Sequence, residues 1–435
     1  MGRFILGAYF KRLSIRIGAL FSGGVMLREQ KLFLATISLF FVATGLSSVF
    51  INTFIYLCAY TSGEIVSELR AVVYYNLCMY ASMALFSVVI GILGKSVNSR
   101  VLIGTGLASY ALLYVLLLIW GRECVNYIWL LGFCAGIGTV FVNVNYSAAV
   151  SYVTSSSNCD YYLSIQGIIN AFCAVLAPFT AGVLIELIGS ERGYVTVFVI
   201  SAAVLLAGFF CAAALKYNDG KKGVTHFGNV FVASIKNREF RCCAISEFIN
   251  GIRDGATVFI VPILLFSLNM SAIAVGIYVF VCAFIQVRMA RHVNSRINAK
   301  NRLKWIFISC VMYAAIGFVF LSGIDIVPIF SYAVIASVAQ SIFAAGTFSS
   351  FYDAAYKIPN SHRKSLEILS VREFYINLGR IVGVFALLLV PQGTTTLIYT
   401  VITVGIMQLA VSVIEAVGAS KAKRQRGEHI SIKLG

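Results

Sequence analysis

Residues 246–266 read Ser246-Glu-Phe-Ile-Asn-Gly-Ile-Arg-Asp-Gly-Ala-Thr-Val-Phe-Ile-Val-Pro-Ile-Leu-Leu-Phe266. The stretch is long enough to cross a bilayer, and its second half is apolar enough to stay there. Glu247, Asn250, Arg253 and Asp254 nevertheless sit inside it. A charge at the centre of a membrane helix costs about 2.5–3.5 kcal/mol on insertion scales, so three in one span need a reason. At about 100° per residue, Glu247, Asn250 and Asp254 share one helix face, while Arg253 lies roughly 120° from Glu247. That face must look into protein or water. Two readings compete: an ion pair that packs a helix bundle, and the lining of a transport cavity.

Outward from this stretch, 60% of the chain is hydrophobic and 12% charged, the balance of an all-α polytopic membrane protein. Apolar spans are expected at 32–58, 72–94, 101–120, 127–152, 163–187, 194–215, 243–267, 271–290, 304–323, 326–352, 366–390 and 394–417. Residues 1–31 are basic and amphipathic, without a signal-peptide core, and read as an interfacial segment. The longest polar connection, 217–240, divides the spans six and six, so 32–216 and 241–417 are expected as two six-helix bundles followed by a basic tail, 418–435.

The 34 basic residues outnumber the 17 acidic ones. Their distribution points to topology and lipid headgroups, not to nucleic acid. With the N-terminus in the cytoplasm, all but six fall in inside segments. Arg70, Arg122 and Arg192 lie outside, and Arg253, Arg372 and Arg380 lie in spans. Both termini are therefore expected in the cytoplasm of a cell membrane. The same topology puts Cys124 in an outer loop, reachable by an impermeant thiol reagent, and Cys159 in a cytoplasmic one. The cysteines show no CxxC pair or metal-ligand spacing, which supports neither a metal site nor a disulfide framework. No cofactor is expected. All four histidines fall outside the spans, which argues against a membrane-embedded enzyme.

Weak internal repetition supports the division into halves. Tyr146-Ser-Ala-Ala149 ends span four and Tyr352-Asp-Ala-Ala355 ends span ten, an offset of 206 (352 − 146). Gly45 in span one and Gly251 in span seven share that offset.

Twelve spans, inside termini and a basic central loop resemble the major facilitator superfamily of secondary transporters, in a bacterial-type branch. After span two that family often carries a Gly, then an Asp and basic residues. Here Gly91-Ile-Leu-Gly-Lys-Ser-Val-Asn-Ser-Arg100 has Gly91, Lys95 and Arg100, with Lys where the Asp would stand. In span five many exporters of the family have Gly-Pro-x-x-Gly-Gly. Ala177-Pro-Phe-Thr-Ala-Gly182 is a softened copy that keeps Pro178 and Gly182. The resemblance implies that spans one, four, seven and ten line a central cavity, with two, five, eight and eleven beside them, while three, six, nine and twelve face lipid.

Span eleven repeats the pattern of span seven. In Ser370-Val-Arg-Glu-Phe-Tyr-Ile-Asn-Leu-Gly-Arg380, Glu373, Asn377 and Arg380 share one face and Arg372 points elsewhere. Asp254 and Arg380 stand at similar depth and are expected to interact. The first half offers neutral groups: Asn52, Asn143, Asn145, Tyr146, Gln166 and Asn170. The expected function is alternating-access transport of a small molecule by a monomer. Asp254, Glu247 and Glu373 are the proton-coupling carboxyls, and Asn250, Arg253, Asn377, Arg380 and the neutral groups line the cavity. Export of an amphipathic compound is the first reading. Import of a small organic anion bound by Arg253 or Arg380 is the second, and a non-transporting scaffold or receptor the third.

Overall fold

The structure is a computed structural model that describes residues 26–59, 65–154, 159–216, 225–258, 260–268, 270–389 and 394–433. Most of the expected interfacial segment 1–31, and 217–224 of the central connection, lie outside the described residues. All regular structure among the described residues is helical. The first half contains α1 (Arg28–Ala59), α2 (Ile65–Leu93), α3 (Ser99–Trp120), α4 (Ile128–Val153), α5 (Cys159–Ile188) and α6 (Ser190–Ala214). A short α7 (Phe227–Lys236) follows. The second half contains α8 (Arg238–Thr257), α9 (Ile260–Ser267), α10 (Ala272–Arg296), α11 (Arg302–Ile316), α12 (Ile326–Ala355), α13 (Ser365–Leu389) and α14 (Thr394–Lys433).

Nine stretches among the described residues are long and apolar enough to cross a membrane, and one of them, Ser99–Val150, holds both α3 and α4. The charge-bearing helices α8 and α13 fall outside that set. Span seven is not one continuous helix: α8 ends at Thr257 and a second piece, α9, starts at Ile260. Pro262 stands in the first turn of α9, where its missing N–H leaves no helical bond unmade. The expected tail 418–435 continues α14 as helix to Lys433.

Local sequence sets the helix ends. Asn98 caps α3 by accepting from Arg100 N at 3.0 Å. Asn237 caps α8 by accepting from Glu239 N and Phe240 N. Within the first half α1 packs on α5 and α6, α2 on α4, and α3 on α4 and α6. Within the second half α8 packs on α13 and α14, α10 on α12, and α11 on α12 and α14. The halves meet along two seams, α2 with α13 and α5 with α10. Lipid is as apolar as Leu, so close packing and polar contacts, not hydrophobic burial, hold such helices together.

The central connection is more than a tether. In α7, Phe227, Val230 and Ser234 are buried. The Phe227 ring lies against Gly91 of α2, where a Cβ would overlap it. Phe231 stacks on Tyr375 of α13 at 6.3 Å, and the Ser234 and Tyr375 hydroxyls are 3.1 Å apart. The helix therefore touches both halves.

Candidate functional site

The site begins with four glycines. Gly251-Ile-Arg-Asp-Gly255 on α8 crosses Gly379-Arg-Ile-Val-Gly383 on α13. A Cβ at Gly251 would collide with the Ile376 carbonyl oxygen, and one at Gly255 with that of Arg380. On the other side Gly379 faces the Phe248 oxygen and Gly383 the Ile252 oxygen. Small residues four apart let two backbones touch. That contact sets the two polar rows against each other.

Near the start of both helices, Arg372 holds Glu247 with two bonds, Nε to Oε1 at 3.0 Å and Nη2 to Oε2 at 3.2 Å. Glu247 is 1% exposed, so this fork is the main compensation for its lost hydration. The Arg372 guanidinium also lies 4.9 Å from the Phe348 ring centre and 3.8 Å from Glu373 Oε1. Arg372 does not point elsewhere, as its sequence offset implied; its long side chain reaches back across the helix interface.

Deeper in, Asp254 sits between two guanidinium groups. Oδ1 accepts from Arg253 at 2.6 Å and Oδ2 from Arg380 at 3.4 Å. Arg253 also donates to Asn250 Oδ1 at 2.8 Å and to Gln340 Oε1 at 2.7 Å. Its guanidinium stacks 4.0 Å above the Tyr313 ring, whose hydroxyl donates to Gln340 at 2.5 Å. Arg380 donates to Asn377 Oδ1 at 3.0 Å, and Asn377 donates to the Glu373 side chain at 3.2 Å. The result is one continuous chain of polar contacts: Glu247, Arg372, Glu373, Asn377, Arg380, Asp254, Arg253, Gln340. Three carboxylates face three arginines. Arg253 Nη1 and Arg380 Nε are buried and have no protein partner.

The first half is arranged differently. Asn52 accepts from Asn76 at 2.9 Å. Asn145 is fully buried and donates to Phe141 O, with its Oδ1 unpartnered. Tyr146 shares a 2.8 Å hydrogen bond with Tyr162 and stacks on Phe33. Asn143 is half-buried in α4. Gln166 Oε1 and Asn170 Oδ1 are buried without partners. Asn170 lines a cavity of about 310 Å³ with Thr44, Gly45, Ser48, Cys282 and Gln286, between α1, α5 and α10. The structure thus separates the charged cluster from this neutral cavity.

The two local motifs lie on the seams. Lys95 Nζ pairs with Glu367 Oε1 of α13 at 2.5 Å, both side chains buried, and the same oxygen accepts from His226 N at 3.0 Å. Arg100 donates to Leu215 O at 2.7 Å. Where the family places an acid, this chain has a Lys whose acid comes from the other half. Near Pro178, Gly182 lies against Ala272 O and Gly276 against Pro178 O, so the softened motif brings α5 onto α10.

Sequence reasoning missed Gln340, Tyr313 and the paired glycines. Tyr313 belongs to span nine, expected to face lipid, yet it lies beneath Arg253. The available signals were a lone amide in an apolar span and the Gly-x-x-x-Gly spacing itself.

The fold is that of a multi-pass membrane transporter family. The chain belongs to the Major Facilitator Superfamily, whose family model matches residues 32–384. It is 23% identical over 370 residues to the protein YqgE of Bacillus subtilis, covering 85% of this chain and 84% of that one. Solved structures with the same fold include the Escherichia coli fucose:proton symporter FucP, with a TM-score of 0.61 and 15% identity over 90% of this chain and 97% of that one. A bacterial homologue of the iron transporter ferroportin, in an inward-facing state, gives 0.67 and 13% over 91% and 100%.

Proposed function

We propose that this chain is a proton-coupled secondary transporter of a small molecule, with twelve spans, both termini in the cytoplasm of the cell membrane, and export of an amphipathic compound as its direction. The observation that carries coupling is Asp254 clamped between Arg253 and Arg380. A proton reaches that carboxylate only when a guanidinium withdraws, because the neighbouring positive charge favours the ionised form. Arg253 shares α8 with Asp254. Arg380 rides on α13, which packs on α2, and its guanidinium lies 5.4 Å from the centre of the Tyr80 ring on α2. Rocking of one half on the other therefore acts on Arg380 first. Proton occupancy of Asp254 then follows the state of the α2–α13 seam, with Glu247 and Glu373 as further carboxyls along the chain. FucP, by its name a proton symporter, shares the fold.

The neutral cavity at Asn170 suits an uncharged or amphipathic ligand. Import of a small organic anion is the second reading, and it draws on the unpartnered Arg253 Nη1 and Arg380 Nε. The deciding experiment screens compounds for thermal stabilisation of the purified protein. Each hit is then followed in proteoliposomes under an imposed pH gradient. Gradient-driven movement of a hit supports the transporter. Its direction relative to the proton separates export from import. Hits that bind but never move against their own gradient would leave the scaffold reading standing.

A further inference from the structure

Two cysteines far apart in the sequence meet at the outer end of the first half. Cys58 occupies the last turn of α1, and Cys124 lies in the 3₁₀ turn Gly121–Tyr127 that joins α3 to α4. Gly121 enters that turn at φ 49°, and Trp120 stacks on Tyr127 at 4.2 Å to close it. The turn is thereby folded back onto α1, which brings the buried Cys58 and Cys124 side chains next to each other. Cys58 is 6% and Cys124 0% exposed. Cys124 is therefore not the reagent-accessible outer thiol that the topology implied. Arg122 of the same turn pairs with Glu191 at the start of α6.

We propose that Cys58 and Cys124 are a disulfide-forming pair on the non-cytoplasmic face, a covalent staple between the first span and the α3–α4 turn. The proposal rests on the orientation given above, because disulfides persist outside the reducing cytoplasm. A cavity of about 240 Å³ lined by Phe54, Leu57, Cys58, Gly121 and Tyr194 reaches Cys58 and admits a small oxidant. With a low-molecular-weight disulfide as oxidant, the Cys58 thiolate attacks one sulfur, forms a mixed disulfide and releases one thiol. The Cys124 thiolate then attacks the Cys58 sulfur, closes the bond and expels the second thiol. Two cysteine thiols are oxidised, one external disulfide is reduced, and the two protons leave with the released thiols. The bond encloses spans two and three in one covalent loop, and long loops lose the most unfolded-state entropy. It lies wholly within the first half and crosses neither seam, so it stiffens that half without blocking its movement against the other.

The test quenches cells with acid and alkylates the denatured full-length chain without reductant. Labelling of all but two of the eleven thiols, full labelling after reduction, and a peptide pair containing residues 58 and 124 joined until reduction support the proposal. Cys58→Ser should leave every remaining thiol labelled without reductant. Labelling of all eleven in the wild type overturns it. Orientation is read separately by placing Asn126→Cys, at an exposed position of the same turn, in a Cys58→Ser/Cys124→Ser background. If an impermeant reagent labels it on intact cells while the wild type shows eleven thiols, the disulfide alone is wrong. If the reagent spares it, the orientation falls and takes the proposal with it.

Discussion

Gly45 on α1 and Gly251 on α8 occupy matching places in the two halves, and each lets its helix approach a partner. Gly45 faces α5, where an added Cβ would lie 3.0 Å from Ala177 Cβ and 3.3 Å from Cys173 O. Gly251 faces α13, where the added atom would run into backbone. The first contact is tight but is relieved by a shift of a few tenths of an ångström, and a neutral cavity opens beside it. The second would force the two backbones apart, and a chain of buried charge runs along it. Matching helix pairs have thus been given different tasks. A buried ion chain needs its two backbones at a fixed spacing, so that a guanidinium can change partner without leaving a carboxylate unpaired. The glycine crossing provides it, whereas a cavity that admits a ligand does not need such rigidity.

The largest effect should come from closing the tight crossing. Gly379→Ala places a methyl group on the Phe248 carbonyl oxygen. Its cost should exceed the about 1–3 kcal/mol of ordinary overpacking, and folded protein should be lost from size-exclusion profiles. Gly45→Ala should express and elute like wild type. Equal behaviour of the two would erase the contrast.

Next in size is the Arg372–Glu247 fork. Arg372→Ala leaves Glu247 buried and uncompensated, a change worth roughly 3–5 kcal/mol. Thermal unfolding in detergent should drop clearly, and Glu247→Gln added to Arg372→Ala should recover part of the loss. In the first half, Asn76→Ala removes the bond to Asn52. It should cost on the order of 0.6 kcal/mol, the average for interhelical polar contacts in a membrane. If the Asn76 variant were the less stable of the two, the charged pair would not be the structural centre.

The smallest effect on stability is expected at the cavity. Asn170 has a buried, unpartnered Oδ1, so Asn170→Ala removes no protein bond from that atom. It should leave unfolding nearly unchanged while weakening the stabilisation produced by any ligand that binds there. Undiminished ligand stabilisation in this variant would move the binding site away from the cavity.

How much of this could be read from the chain depends on how rare each signal is. Charges inside apolar stretches stand out, so Glu247, Asp254, Arg372 and Arg380 were visible as candidates. Their common depth made an Asp254–Arg380 contact a natural expectation. The Arg372–Glu247 fork was not visible, because helical periodicity places the Cβ and says little about where a long guanidinium ends. Gly251, Gly255, Gly379 and Gly383 showed their spacing, but glycine is common in membrane helices, and only the fold shows which pairs cross. For Cys58 and Cys124 the topology implied a common membrane side but not a contact. Their approach depends on a 3₁₀ turn folding back onto α1, which no spacing rule encodes.

The central claim is that Asp254, released from and recaptured by Arg380, carries the coupling proton. The most direct measurement takes a ligand found by thermal stabilisation and follows it in proteoliposomes under an imposed pH gradient, comparing wild type with Asp254→Asn. Asn keeps the size and one of the two acceptor oxygens but cannot titrate. The account predicts that Asp254→Asn still exchanges the ligand across the membrane but no longer moves it against its gradient. Gradient-driven accumulation equal to wild type in Asp254→Asn would contradict the claim and leave the Asp254–Arg380 pair a structural role.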